Sequence, residues 1–522
     1  MSNIPELGAG KTRRSLRNAI VGLIFFFAMM ALQFVSRKVF IDYLGADILG
    51  MNSMTVSLLE FLNIAELGIG AAVGISIYRP LAVGNQTAIL EILAIHRNLY
   101  RKVALIITFS AIILSLFFPL IYAKSGLPLW YAYSTFGVML FSALAGYVWN
   151  YRQVLLSASQ QEYKVQIAYR LPKCVQVLSQ IICIVKFPQY GYQLWLILEV
   201  AGTMVATLLL NRMVSRTFPG WEVSAEDTRT LRRRYPEVVG QVKRLMFHKI
   251  GGFLVRQMSP LVVYAYLSLE VVAVYGNYIL IVTGVNRLIE ALFRGQEAFI
   301  GHISHTADLS SQRGLFREYF AVRFYLATVC SYIFIECAAP FIKVWVGEAY
   351  LLSETATILI GLILFFNILR GAVETFLLAK GQTGDIWAPI AEGGIALAVS
   401  LLLGYWYGLD GVLGGVVISQ VLFVGIWKPI YLLNKGLDGN ILRFYRTFTK
   451  QILVLIFALS VEAGWKIFEN RPMDEIVNFR NICQGCVIFI VVFTCALLLA
   501  DSGFRRFPSR ILNTFRLKKE NK

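Results

Sequence analysis

The stretch Arg17-Asn-Ala-Ile-Val-Gly-Leu-Ile-Phe-Phe-Phe-Ala-Met-Met-Ala-Leu-Gln-Phe-Val-Ser36 carries no charge after its first residue. A bilayer core about 30 Å thick needs roughly 20 consecutive apolar residues per spanning helix, and this stretch has that length. Similar stretches recur along the chain, and together they predict about 14 transmembrane helices. The predicted fold class is an all-α polytopic membrane protein, with two pseudo-symmetric six-helix bundles followed by two C-terminal helices.

The overall composition agrees with this prediction. Hydrophobic residues make up 57% of the 522 residues and charged residues 15%, and the mean hydropathy is +0.63. Such values exclude a soluble globular protein. The predicted spans are Arg17–Ser36, Leu49–Tyr78, Val103–Ala123, Leu129–Tyr151, Val165–Phe187, Tyr192–Arg212, Leu245–Tyr266, Val272–Ile300, Ala321–Ala339, Ser353–Leu378, Ile386–Tyr407, Val412–Tyr431, Phe448–Ile467 and Ile482–Ala500.

Positive charge is distributed unevenly between the two sides of these spans. The segments on the side of the N-terminus carry roughly four times as many Lys and Arg residues as the opposite loops, which indicates that this side is cytoplasmic. The excess also explains most of the net charge of +18, because basic cytoplasmic loops face anionic lipid headgroups. We therefore expect no nucleic-acid partner. The predicted location is the bacterial inner (plasma) membrane, crossed many times, with both termini cytoplasmic.

The longest connection between spans divides the chain. Residues 213–244 are rich in arginine and are predicted to form a basic cytoplasmic linker. This linker would separate an N-terminal six-helix bundle (1–212) from a second six-helix bundle (245–434), and residues 435–522 would add two helices and a basic cytoplasmic tail. Two parallel halves of this kind are a known transporter plan.

Spans 2 and 8 are unusually long for membrane helices. Each contains roughly 30 residues, so both are expected to tilt or to project beyond the bilayer. Glycines interrupt span 2 at Gly68, Gly70 and Gly74. Small residues at such spacing permit close helix packing, and Gly68 and Gly70 could also form a hinge.

Two patterns resemble enzyme or metal motifs but lack the necessary context. Gly10-Lys-Thr12 resembles the end of a phosphate-binding loop, but Pro5 stands where that motif needs glycine and no strand precedes it. Cys483 and Cys486 have C-x-x-C spacing, but no second pair of ligands accompanies them, and we interpret them as packing residues. We predict no enzymatic activity, no catalytic residue, no metal and no cofactor.

Five stretches of the chain carry a resemblance to known proteins. They are Phe34-Val-Ser-Arg-Lys-Val-Phe-Ile-Asp-Tyr-Leu-Gly-Ala-Asp-Ile-Leu-Gly-Met51, Ala65-Glu-Leu-Gly-Ile-Gly70, Tyr78-Arg-Pro-Leu81, His248-Lys-Ile-Gly-Gly252 and Tyr275-Gly-Asn-Tyr278. These stretches resemble the corresponding parts of polysaccharide-transport proteins. Those proteins and the O-antigen flippases are branches of the multidrug/oligosaccharidyl-lipid/polysaccharide (MOP) flippase superfamily. The resemblance implies a V-shaped pair of helix bundles around a cavity that opens alternately to each side.

Charged residues inside the spans are candidates for a substrate site, because charge at mid-bilayer is costly unless it faces a cavity or a partner. Span 8 carries Arg287, Glu290, Arg294 and Glu297 on one face, at spacings that permit mutual ion pairs. Arg256 in span 7 has no acidic neighbour on its own helix face. Arg170 and Lys173 in span 5 likewise have no acidic neighbour on their own helix. The predicted substrate-binding cations, which would hold a pyrophosphate or an acidic sugar, are Arg256, Arg287, Arg170, Lys173 and Arg294.

Carboxylates on other helices are the alternative partners for these cations. The available residues are Glu60, Glu66, Glu199, Glu374 and Glu392. Burial raises the pKa of a carboxyl group, so some of these carboxylates could instead be protonated and couple transport to an ion. The residues predicted for ion coupling or ion pairing are Glu60, Glu66, Glu290 and Glu374, the last of which lies four residues after Arg370.

The favoured hypothesis is a flippase that moves a polyprenyl-pyrophosphate-linked oligosaccharide to the outer leaflet during synthesis of O-antigen, capsule or exopolysaccharide. Its expected partners are that lipid-linked oligosaccharide, membrane lipids, and a polysaccharide polymerase with chain-length proteins. One alternative is an ion-coupled exporter of drugs or other small molecules from the related branch, but the unpaired cations favour an anionic cargo. A membrane polysaccharide polymerase is a weaker alternative, because such enzymes are expected to carry a large external loop and the external loops here are short.

Overall fold

The structure, a computed structural model, describes residues 11–66, 68–224, 226–242, 260–382, 384–385, 387–468 and 479–506. The chain divides into two compact units, Met1–Ala273 and Val274–Lys522. All regular secondary structure in these described ranges is helical, so the all-α prediction is confirmed. The predicted boundaries at residues 212, 244 and 434 stay predictions.

The first unit is built from long membrane-type helices joined by short turns and small helices. Its elements are α1 (Lys11–Leu44), α2 (Ala46–Leu62), α3 (Ile69–Ala82), α4 (Gln86–Leu116), α5 (Phe118–Ile121), α6 (Leu129–Val148), α7 (Val154–Ala158), α8 (Glu162–Val165), α9 (Leu171–Lys186), α10 (Gly191–Thr217) and α11 (Thr228–Arg234). A π-helical turn, Gln166–Arg170, joins α8 to α9.

The second unit begins inside a long helix that starts in the first. Its elements are α12 (Leu269–Thr306), α13 (Leu309–Trp345), α14 (Glu354–Ala379), α15 (Trp387–Gln420), α16 (Lys428–Tyr431), α17 (Ile441–Phe468) and α18 (Phe479–Ala500). Two π-helical segments, Val421–Trp427 and Leu432–Leu437, flank α16.

In the described part of the chain, 11 helical segments are long and apolar enough to cross a membrane. The prediction of a multi-pass membrane protein is therefore confirmed. The count of 14 stays a prediction for identifiable reasons. Predicted spans 11 and 12 lie in one segment of 51 residues, Trp387–Leu437, with non-helical backbone at Gly408. Most of span 7 lies outside the described residues.

Span 2 is not the single long helix that the sequence predicted. Helix α2 ends at Leu62, residues Asn63–Glu66 form a 3₁₀ turn, and α3 begins at Ile69. Gly68 has a φ of 94°, a left-handed conformation that costs glycine little and other residues more. Hydropathy averaged over the span hid this break, because hydropathy does not report backbone dihedral angles.

The segment predicted as a linker packs on the first unit as far as it is described. Leu231 and Val238 are fully buried in a cluster with the apolar faces of α3, α4 and α7. Arg234 forms ion pairs with Glu91 and Glu226. Residues in 226–242 therefore pack against the first unit, and the role of 213–244 as a linker stays a prediction.

Candidate functional site

A polar stripe runs along α9 and the π-helical turn before it. Its members, at spacings of three and four residues that place them on one side of a helix, are Gln166, Arg170, Lys173, Gln176 and Gln180. The apolar residues Leu171, Val175 and Ile182 lie elsewhere on the helix and are exposed, as expected for a face that contacts lipid. We refer to the five polar residues as the α9 stripe.

The middle of the α9 stripe is paired with a carboxylate on α10. Lys173 Nζ lies 3.1 Å from Glu199 Oε1 and donates a 2.7 Å hydrogen bond to Thr203 Oγ1. Gln176 and Gln180 donate to the other oxygen of Glu199. Lys173 was predicted as a substrate-binding cation with a carboxylate on another helix as the alternative, and Glu199 was among the carboxylates considered.

The end of the α9 stripe that the charge bias predicts to face the cytoplasm is less enclosed. Arg170 is exposed and has no carboxylate within 4.0 Å among the described side chains. It ends the π-helical turn that precedes Pro172. Proline has no N–H for the helical ladder, and π-helical turns occur often at functional sites. The stripe therefore joins a paired interior charge to an accessible one.

A second polar group lies at the break in span 2. Tyr100 on α4 donates a 3.1 Å hydrogen bond to Glu66 Oε1, and Tyr147 on α6 donates at the same distance to Asn63 Oδ1. Irregular backbone at membrane depth is tolerated where protein or a cavity satisfies it. The predicted coupling residue Glu66 thus lies beside an interrupted helix. Glu60, the other predicted acid of this span, is half-buried in the preceding turn of α2.

In the second unit, four charges from three helices form one cluster. Arg370 on α14 makes a bidentate ion pair with Glu392 on α15, with Arg370 Nη1 2.9 Å from Glu392 Oε2. Arg370 Nη1 also lies 3.7 Å from Glu374 Oε1, so the predicted i+4 pair is present. Lys428 on α16 forms an ion pair with Glu374. The cluster is electrically balanced, and sequence analysis missed Lys428 because it lies 54 residues from Glu374.

The charges of span 8 are only partly described. Arg287 and Glu290 on α12 are both exposed, and within the described ranges neither has an ion-pair partner. The side chains of Arg294 and Glu297 lie outside the described residues, as does Arg256 entirely. A neutralised network along this helix stays a prediction.

Arg323 on α13 is a buried cation that sequence analysis did not single out. Its side chain is 4% exposed, its guanidinium lies 3.8 Å from the centre of the Phe293 ring, and Nη2 donates to Tyr319 Oη at 3.0 Å. Its position near the start of an apolar stretch was the sequence feature that could have identified it as a candidate. Contact with the aromatic ring offsets part of the cost of burying the charge.

No family model matches the chain, and no curated protein matches it. Solved structures do share its fold. The lipid II flippase MurJ, in an inward closed conformation, aligns over 92% of this chain and 98% of its own, with a TM-score of 0.61 and 13% identity. An inward-facing multidrug resistance MATE family transporter of the MOP superfamily aligns over 80% of this chain and 98% of its own, with a TM-score of 0.56 and 11% identity.

A MOP superfamily transporter from Pyrococcus furiosus aligns over 81% of this chain and 96% of its own, with a TM-score of 0.54 and 13% identity. The chain has the fold of the MOP superfamily. The predicted fold is thus confirmed, while membership of the superfamily and of its polysaccharide-transport branch stays a prediction. Identity this low carries no MOP site residue over to this chain, so the candidate residues rest on their own geometry.

Proposed function

We propose that this chain is an alternating-access transporter that flips a polyprenyl-pyrophosphate-linked oligosaccharide across the bacterial inner membrane for surface polysaccharide synthesis. Fold alone does not determine function, so the proposal draws on fold and on charge. On the side of fold, the lipid II flippase covers 92% of the chain and the multidrug transporter 80%, so both classes of transporter share this architecture.

The observation that carries the proposal is the accessible cation at the end of the α9 stripe. Arg170 lies inside the candidate span Glu162–Lys186, about 24 Å along the helix from Lys186. An arginine inside a span is costly unless it faces water, a partner or a ligand. A guanidinium binds phosphate through two parallel hydrogen bonds, which suits the pyrophosphate of the proposed cargo.

Arg287 in the second unit supports the same cargo independently. It lies about 27 Å along α12 from Leu269, is exposed, and has no carboxylate partner among the described residues. Lys173, Arg370 and Lys428 are already matched by carboxylates. Of these five cations, Arg170 and Arg287 are therefore the two accessible ones without an ion-pair partner in the described part of the chain, which favours an anionic cargo over the cationic drugs of the alternative function.

Ion coupling, orientation and protein partners belong to the same proposal. Glu66 is the favoured coupling residue, because its oxygen already accepts a hydrogen bond from Tyr100 beside a broken helix. Glu374 is less suited, because it already forms ion pairs with Lys428 and Arg370. We further propose cytoplasmic termini and partnership with a polysaccharide polymerase and chain-length proteins.

Replacing Arg170 or Arg287 with alanine is expected to slow flipping by about tenfold or more, the usual effect of losing a hydrogen bond to a charged group. The purified chain would be reconstituted in vesicles containing a fluorescent polyprenyl-pyrophosphate-linked oligosaccharide. Membrane-impermeant dithionite then reports the fraction in the outer leaflet over time. Arg216→Ala and Arg446→Ala, which remove exposed arginines from the helix ends, should flip at the wild-type rate. Equal rates for all four variants would remove the role assigned to Arg170 and Arg287.

A further inference from the structure

The second unit contains a cavity of about 360 Å³ between the first turns of α13, the first turns of α17 and the turn before α17. Three arginines line it: Arg313 and Arg317 from α13 and Arg443 from α17. None of the charged residues discussed above belongs to this cavity. Its lining lies wholly within Val274–Lys522, so it is a feature of one unit.

The three arginines are not neutralised by the described part of the chain. Arg313 Nη1 donates a 2.7 Å hydrogen bond to the backbone carbonyl of Asp438, which fixes its direction without cancelling its charge. Arg317 is half-buried and Arg443 is exposed. No described carboxylate lies within 4.0 Å of any of the three. A cavity lined by three guanidinium groups without counter-ions among the described residues favours the binding of an anion.

Two acidic residues near the cavity, Asp308 and Asp501, accept hydrogen bonds from other groups. Asp308 accepts hydrogen bonds from Ser310 and Ser311 at the start of α13, and these bonds hold the pKa of its carboxyl well below the usual range. Asp501 accepts from Gln451 Nε2 at 2.5 Å and from the backbone N–H of Gly503 at 2.6 Å. Neither carboxylate forms an ion pair with the three arginines in the described part of the chain.

The remainder of the cavity lining is aromatic. Phe316 and Phe320 from α13 meet Phe444 and Phe448 from α17, with ring centres 5.0 Å apart between Phe320 and Phe444 and 5.8 Å between Phe320 and Phe448. A site with charged donors on one side and an aromatic wall on the other matches an amphiphile. A fully hydrated small anion would gain nothing from the aromatic wall.

The cavity lining also contains a buried amide. Gln451 is 2% exposed, and among the described residues its Oε1 accepts no hydrogen bond. The orientation of the amide is set, because Nε2 must face the Asp501 carboxylate that it donates to. Gln451 therefore forms a polar end of the cavity lining.

The position of the cavity along α13 corresponds to the depth of lipid headgroups in the membrane. Helix α13 has 37 residues and is therefore about 55 Å long, whereas the hydrocarbon core is about 30 Å thick. Arg313 and Arg317 are within the first three turns, at the end that the charge bias predicts to be cytoplasmic. This is the level of lipid headgroups.

We propose that this cavity binds the phosphate headgroup of an anionic phospholipid from the cytoplasmic leaflet. Arg313, Arg317 and Arg443 hold the phosphate, and the phenylalanines contact the first apolar groups of the lipid. The site is separate from the residues proposed to contact the transported cargo. It is therefore a lipid-binding site in addition to the proposed function, and it can be tested without measuring transport.

The test is equilibrium binding of fluorescent phosphatidylglycerol to the purified full chain in micelles. Removing three charges by the combined substitution Arg313→Gln, Arg317→Gln and Arg443→Gln is expected to weaken binding about a hundredfold, at about 1 kcal/mol per cation near a headgroup. The matched control combines Arg446→Gln and Lys450→Gln, which are exposed residues of α17 outside the cavity lining. This control should change the dissociation constant less than twofold.

Competition experiments identify the source of the phosphate. Unlabelled phosphatidylglycerol should displace the probe, whereas phosphatidylcholine and millimolar inorganic phosphate should displace it poorly. Displacement by inorganic phosphate as effective as by the lipid would overturn the lipid assignment. Equal losses in the triple variant and the control, or no loss in either, would overturn the site.

A lysine variant distinguishes loss of the phosphate site from misfolding of the glutamine variant. Arg313→Lys, Arg317→Lys and Arg443→Lys together keep the charge but remove the bidentate geometry. At an unchanged melting temperature, this variant should bind phosphatidylglycerol several-fold more weakly than wild type. Wild-type affinity in a folded lysine variant would contradict a built phosphate site.

Discussion

Arg370→Ala is expected to lower the free energy of unfolding of the second unit by about 3–5 kcal/mol, because it leaves a buried carboxylate without its counter-ion. Glu392 is fully buried and receives both of its charged hydrogen bonds from Arg370. The bond from Ser419 goes to the backbone carbonyl of Glu392 and not to its carboxylate. Glu374 keeps Lys428 and is affected less.

Thermal unfolding of the purified protein and its level in membranes measure this loss. Adding Glu392→Gln to Arg370→Ala should restore a large part of the lost stability, since the buried charge is then gone. The matched control is Lys38→Ala, which breaks a pair with Asp42 in which both side chains are more than 40% exposed. Exposed pairs contribute at most about 1 kcal/mol. An Arg370→Ala protein as stable as Lys38→Ala would refute the buried pair.

Arg256→Ala is expected to stop export while leaving the protein in the membrane at its normal level. Its neighbours on the same face of span 7 are Gly252, Phe253, Ser259 and Pro260, so the substitution breaks no pair within its own helix. The residue itself lies outside the described structure, and the prediction rests on the sequence. Arg256→Lys should keep partial activity, because lysine retains the charge but lacks the bidentate guanidinium.

The two variants would be compared in a strain that lacks the native gene. Surface polysaccharide and the amount of the protein in the membrane are measured in the same cells. Wild-type export by Arg256→Ala at normal abundance would make this arginine a structural charge. Loss of the protein from the membrane would show that a carboxylate on another helix needs it.

Hydropathy was sufficient to predict the helical class and most of the spans. The run Ile482–Ala500, for example, agrees with the described span Asn481–Ala500 within one residue. It failed where backbone geometry decides the outcome. The break between α2 and α3 depends on the left-handed Gly68, and three neighbouring glycines could not be ranked as packing or hinge from spacing alone.

The candidate site was predicted less completely, since pairing between helices is a property of tertiary structure. The pair of Arg370 and Glu374 could be predicted from helical periodicity, because the two residues are four positions apart on one helix. The stronger partner, Glu392, lies on the next helix, and sequence analysis offered it only as one of several carboxylates. Lys173 and Glu199 illustrate the same difficulty, because they are 26 residues apart on antiparallel helices.

Flipping by the wild-type chain in protein-containing and protein-free vesicles tests the proposed function most directly. The two probes are a fluorescent polyprenyl-pyrophosphate-linked oligosaccharide and a fluorescent lipophilic cation, each followed from one side of the membrane to the other. An anionic lipid-linked cargo predicts that the protein accelerates movement of the oligosaccharide probe and leaves the cation at the protein-free rate. Protein-dependent movement of the cation, with the oligosaccharide at the protein-free rate, would contradict it and identify an exporter of cationic compounds.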